Sequence, residues 1–129
     1  MTIMEQISNH LQFLGYEVTS DDKITRATHS ANFNFLMKTF IGGVLLTAYL
    51  GGNKFAKNKR NRQTYLEFLN AMNRTANVTR FYADDDSDLV MEAVFSGDYN
   101  KAVFGEFIEQ WNLDTQARLL QSGGSEFLE

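Results

Sequence analysis

Apolar residues recur at helical spacing at Ile3, Ile7, Leu11 and Leu14, with Met4 and Phe13 beside them, so the chain opens on an amphipathic helix. Thr2 is placed to cap it, Glu5 stands three residues on as a capping box requires, and Gly15 ends it. His10 falls on the polar side of this helix. Residues 16–19 form a short candidate strand, and Asp21-Asp22-Lys23 reads as a turn. Residues 24–29 alternate weakly. Residues 32–39 alternate clearly, with Phe33, Phe35 and Met37 on one face. Gly42-Gly43 makes the next turn. Residues 44–50 are apolar on both faces apart from Thr47 and Tyr49, the pattern of a central strand with cover on each side. One side of that cover is expected from a partner.

Gly51-Gly52-Asn53 closes this run, and a basic connector leads into a second helix whose stripe is Tyr65, Phe68, Leu69 and Met72, with Leu66 beside it. Residues 78–83 read as a strand and residues 84–88 as its acidic turn. The returning strand puts Leu89, Met91, Ala93 and Phe95 on one face and Val90, Glu92, Val94 and Ser96 on the other. Asp98 or Asn100 is placed to cap a last helix with the stripe Val103, Phe104, Phe107, Ile108 and Trp111. Residues 112–121 extend this helix or form a further turn. The order is α-β-β-β-α-β-β-α. Strands grouped between helices favour an antiparallel α+β sheet over alternating βαβ units.

The 129 residues fit one domain, placed at residues 1–122. Gly-Ser-Glu-Phe and Leu-Glu within residues 123–129 are what common cloning sites encode, so this segment is expected to be vector-derived and is left out of the predicted fold. A net charge of −4 gives no overall pull toward nucleic acid or anionic membranes. The absence of cysteine excludes disulfides, thiolate metal sites and thiol nucleophiles. The first residues lack the basic and apolar regions of a secretory signal. The longest apolar stretch falls far short of the roughly 20 residues a membrane helix needs. The expected compartment is the cytoplasm.

Candidate chemistry is sparse. Asp84, Asp86 and Asp88 have calcium-loop spacing, but Leu89 stands where that loop needs glycine and Phe95 where it needs glutamate. A solvated hairpin turn is the better reading, and no metal or cofactor is expected. Lys54, Lys57, Lys59, Arg60 and Arg62 form the one basic cluster, interrupted by Phe55. It suits a phosphate backbone or an acidic partner, although positive charge opposes the dipole of the helix that follows. His10 and His29 have no catalytic or metal-ligand spacing.

The runs Phe68-Leu69-Asn70-Ala71-Met72-Asn73, Thr79-Arg80-Phe81-Tyr82-Ala83-Asp84-Asp85-Asp86 and Leu89-Val90-Met91-Glu92-Ala93, followed by Phe104, Phe107, Ile108 and Trp111 in the closing helix, resemble the YbjN-like family, described as bacterial sensory transduction regulators. Members often carry glycine in the acidic turn, where this chain has Ser87-Asp88. The resemblance implies a fold similar to type III secretion chaperones, which are dimers that hold extended client segments. It implies a non-enzymatic, cytoplasmic, protein-binding or regulatory domain, homodimeric or holding a client protein through an open sheet and apolar grooves. Phe35, Leu46, Tyr49 and Trp111 are the candidate contacts. The alternative is a nucleic-acid-associated module using the basic cluster.

Overall fold

The computed structural model describes residues 1–21 and 23–129. The predicted turn at Asp21-Asp22-Lys23 includes Asp22, which lies outside the described residues. Helix α1 (Ile3–Phe13) starts where the Thr2 hydroxyl accepts the Glu5 N–H at 3.2 Å and ends before Gly15, whose φ is +95°. Four strands follow: β1 (Glu17–Ser20), β2 (Thr25–Thr28), β3 (Phe35–Phe40) and β4 (Gly43–Leu50). A short helix α2 (Lys54–Lys57) and one 3₁₀ turn lead into α3 (Arg62–Thr75). Strands β5 (Arg80–Ala83) and β6 (Leu89–Ser96) form a hairpin. Helix α4 (Lys101–Asn112) is capped by the Asn100 carboxamide, which accepts from Ala102 and Val103 N–H. It runs on through a π-helical stretch (Leu113–Arg118) into α5 (Leu119–Gln121).

The strands make one antiparallel sheet in the order β1-β2-β3-β4-β6-β5. Its centre is the β4–β6 pairing, which joins the two halves of the chain over eight registered positions from Gly43↔Ser96 to Leu50↔Leu89. The α+β antiparallel class holds, and the short candidate strand at residues 16–19 is the sheet's first strand, β1.

All the helical stripes meet the same sheet face. Ile7 and Leu11 from α1, Tyr65, Phe68, Leu69 and Met72 from α3, and Phe104, Ile108 and Trp111 from α4 form one cluster with Phe35, Met37, Val44, Leu46, Phe81, Met91 and Phe95. Burying this many large apolar side chains, at roughly 1.5–3 kcal/mol each, is the main term holding the layers together. Two placements differ from expectation. His10 is buried, at 8 % exposure, because α1 turns it toward α4. Residues 123–129, left out of the predicted fold, pack on it, with Phe127 at 3 % exposure among Phe55, Tyr65 and Phe68.

One link ties the closing helix to the rest. Asp114, fully buried in the π-helical stretch, accepts from the N–H groups of Asn77, Val78 and Thr79 at 2.9–3.1 Å and pairs with Arg118 at 3.3 Å. The turn between α3 and β5 thereby finds acceptors for backbone donors that the sheet does not use.

Candidate functional site

Side chains alternate across a strand, so the face away from the helices is read directly from the register. Its central row runs Thr19, Arg26, Leu36, Thr47, Glu92, Arg80 across the whole sheet. On one side lies the row Lys38, Leu45, Val94, and on the other Tyr49, Val90, Tyr82. No helical residue of the buried cluster reaches this face. The middle row is polar apart from Leu36, and Leu45 and Val94 on one side and Tyr49, Val90 and Tyr82 on the other flank it.

The middle row is pre-set. Glu92 is buried although no helix covers it, because the Arg80 guanidinium donates to its carboxylate, through Nε at 2.8 Å and through Nη2. Arg80 also lies over the Tyr82 ring at 6.0 Å. Burial, and then the nearby Glu92 charge, raise the Tyr82 hydroxyl above its ordinary value and keep it protonated. Val90, at 2 % exposure, is sealed between the two tyrosines of its row, while Tyr49 itself is 59 % exposed. Two shallow hollows meet on this face, of about 350 and 130 Å³, and Leu36, Thr47 and Tyr49 line both.

Of the four candidate contacts, only Tyr49 belongs to this surface. Phe35, Leu46 and Trp111 face the helices and are sealed in the core, so they have no surface for a partner. The reason is strand parity. Phe35 shares its side with Met37, and Leu46 stands opposite both Met37 and Ala93 on the inner face. Trp111 packs edge-on against Phe35 at 5.8 Å. The outer residues missed in sequence were Leu36, Leu45, Tyr82 and Val94. Tyr49 carried the signal for Leu45, two positions apart twice over, but the rows across strands need the register.

The basic residues Lys54, Lys57, Lys59, Arg60 and Arg62 are all exposed on α2, the 3₁₀ turn and the start of α3. The acidic turn faces Lys57, Lys59 and Arg62 across a cleft of about 790 Å³. Lys57 pairs with Asp88 at 3.3 Å, and Arg62 Nη1 donates to the Ser87 hydroxyl at 3.1 Å. A phosphate backbone docking here would meet the carboxylates of Asp85 and Asp86 as well as the cations. The three carboxylates of Asp84, Asp86 and Asp88 lie within 4.8 Å of one another, but two have structural work. Asp84 Oδ1 accepts from the N–H of Asp86 and of Asp88, which closes the turn. Asp88 accepts from Gly52 N–H at 2.9 Å; that bond, and then Lys57, lower its pKa. The histidines also serve structure. His29 Nδ1 accepts from Ala31 and Asn32 N–H, and His10 Nδ1 lies 2.7 Å from the Tyr99 hydroxyl.

The architecture has known counterparts. The structure of YbjN from E. coli, described as "a putative transcription regulator", superposes with a TM-score of 0.74 at 15 % identity, covering 98 % of this chain and 95 % of that one. A chain of the heterodimeric ExoU-SpcU complex, from the type III secretion system of Pseudomonas aeruginosa, superposes with a TM-score of 0.60 at 19 % identity, covering 90 % and 96 %. These likenesses bear out the secretion-chaperone-like fold. No curated protein matches the chain in sequence. Among the described residues no helix is long and apolar enough to cross a membrane. The family model YbjN, described as "Putative bacterial sensory transduction regulator", matches residues 4–117, and the chain belongs to that family.

Proposed function

We propose that this chain is a non-enzymatic, cytoplasmic protein-binding domain with a regulatory or chaperone-like role, which holds a client protein or a second copy of itself against the helix-free face of its sheet. The observation that carries this reading is the set of apolar and aromatic side chains on that face, Leu36, Tyr49, Tyr82 and Val94, set around the fixed Arg80–Glu92 pair. Aromatic residues beside satisfied polar groups are the usual composition of a protein interface. A chain of the same fold stands in a heterodimeric complex, which supports a protein partner. Both imidazoles are engaged in holding loops and helices, which supports a binding role over a catalytic one. The basic cluster is the less favoured site for nucleic acid because Asp84–Asp88 offset it.

Photo-crosslinking tests the reading. A photoreactive amino acid placed at Tyr49 or Tyr82, in the producing cell, is expected to form protein adducts, and one placed at Leu66 on α3 is not. Adducts at Leu66 equal to those at Tyr49, or none at Tyr49 and Tyr82, would falsify it.

A further inference from the structure

The sheet ends on two edge strands, β1 and β5, and their sequences are unequal. Val78-Thr79-Arg80-Phe81-Tyr82-Ala83 is β-branched or aromatic at four of six positions and holds neither glycine nor proline, a composition that pairs strand to strand. Its one charge, Arg80, is answered by Glu92 within the same sheet, so little net charge is left to repel an incoming strand. Strand β1 reads Glu17-Val18-Thr19-Ser20 and is followed by Asp21, so a carboxylate stands at each end of it.

In an antiparallel pair the backbone groups of alternate residues point away from the partner strand. Phe81 is such an outward residue of β5, and one side chain takes both of its groups. The Phe81 N–H donates to Asn73 Oδ1 at 2.8 Å, and Asn73 Nδ2 donates to the Phe81 carbonyl at 2.9 Å. A carboxamide offers the same acceptor and donor as a peptide group, so Asn73 stands where one residue of an added strand would pair. Two residues earlier, the Thr79 N–H donates to Asp114 Oδ2 at 3.1 Å. The two blocking side chains come from different helical segments, the last turn of α3 and the π-helical stretch after α4. Fully buried Met72 anchors that last turn on the core and leaves the exposed Asn73 at the rim of the sheet. Asn73 also ends the run Phe68–Asn73 that the sequence singled out, and nothing else described above gives it a task. At the other edge, among the described residues, the β1 backbone receives a side-chain bond from Thr28 of the adjacent β2 and from no other element.

We propose that Asn73, with Asp114, keeps β5 from pairing with β5 of a second copy of this chain. The unguarded strand is self-complementary. Two antiparallel copies centred on Phe81 would exchange the N–H and carbonyl bonds that Asn73 now takes. The same register would set Arg80 of each copy opposite Tyr82 of the other, a cation beside an aromatic ring on the open face. The proposal is independent of the protein-binding reading above, since it concerns an edge of the sheet and not its helix-free face.

The test is sedimentation velocity over a concentration series on the full chain carrying Tyr49→Asp, with and without Asn73→Ala. Tyr49→Asp removes association through the open face, and alanine is the better helix former, so α3 is not weakened. The Asn73→Ala chain is expected to sediment faster as concentration rises, and the chain that retains Asn73 is not. Amide exchange at Phe81 gives the local readout. It is expected to be about ten-fold faster in the dilute Asn73→Ala chain, which has lost one hydrogen bond there, and to slow again on concentration. Ile7→Val in α1, which packs toward β1, is a destabilised control expected to leave sedimentation unchanged. Should Asn73→Ala fail to fold, Asn73→Ser, whose single hydroxyl replaces the carboxamide, is measured in its place with the same expectation. A folded variant whose sedimentation is independent of concentration, or equal association in Ile7→Val, overturns the proposal. Either result leaves the adducts at Tyr49 and Tyr82 unaffected, so the failure of this edge reading is distinguishable from the failure of the open-face reading.

Discussion

Ile41 and Ser87 are, among the described residues, the non-glycine positions with positive φ, at +41° and +63°. Both sit in hairpin turns, where an L-residue in the left-handed region costs roughly 1–2 kcal/mol. Ser87→Gly is therefore expected to raise stability by about 1 kcal/mol in urea unfolding, less the small contribution of its exposed bond to Arg62. Gly52 is the opposite case. Gly52→Ala forces a methyl group against the Ser87 carbonyl and is expected to cost about 1–3 kcal/mol by the same measurement.

His10 gives a pH prediction at this scale. Burial first, and then the Lys101 charge, lower its pKa below 6.5. The folded chain thus binds fewer protons than the unfolded one, so His10's contribution is fully present above pH 6.5 and is lost as pH falls through the folded value. The parent chain should lose more Tm between pH 7.5 and 5.5 than His10→Gln. Its burial was legible in position, since residue 10 stands three after Ile7 and four before Leu14. Its polarity masked this, and the partner Tyr99 is too distant in sequence to be seen. Tyr65, pushed up to about 12 by burial and then Asp88 and Asp84, stays a neutral donor to the Ser87 carbonyl throughout this range.

At the scale of elements, local periodicity carried far. The α3 stripe Tyr65, Phe68, Leu69, Met72 is buried as spaced, and the register puts Leu89, Met91, Ala93 and Phe95 of β6 on the helix side, although Val90 and Glu92 on the other side are buried as well. What was not legible depended on distant partners. The end of α4 was left open because nothing local marks Asp114 as the acceptor for a turn more than thirty residues earlier. Asp114→Ala would strand three backbone donors and Arg118, and is expected to cost about 3 kcal/mol with an unchanged m-value. The four candidate contacts show the same limit. Hydrophobicity named them, but only parity and register separate Tyr49 from Phe35 and Leu46, and both were fixed by pairings across the sheet.

At the scale of the molecule, the two sheet faces have separable roles. The helix-covered face holds most of the buried apolar side chains, whereas the other face surrounds buried Val90 and Glu92 with the more exposed Tyr49, Tyr82 and Val94. Tyr49→Asp uncovers part of Val90 and is expected to cost about 1 kcal/mol in urea unfolding, well short of unfolding the chain. It should nevertheless abolish self-association if the second copy is the partner, as read by sedimentation velocity on parent and variant at equal concentration. A large loss of Tm in that variant would mean that Tyr49 is structural.

The β4–β6 pairing sets an order of events during synthesis. Strand β4 lies at the middle of the finished sheet, yet its neighbour β6 begins only at Leu89. At about 5–20 residues per second, a ribosome leaves the doubly apolar β4 without that neighbour for a few seconds. Nascent chains stalled before Leu89 should accordingly be captured by cellular holdases and those stalled past Ser96 released, so a domain read here as a holder of other polypeptides would itself pass through a stage of being held.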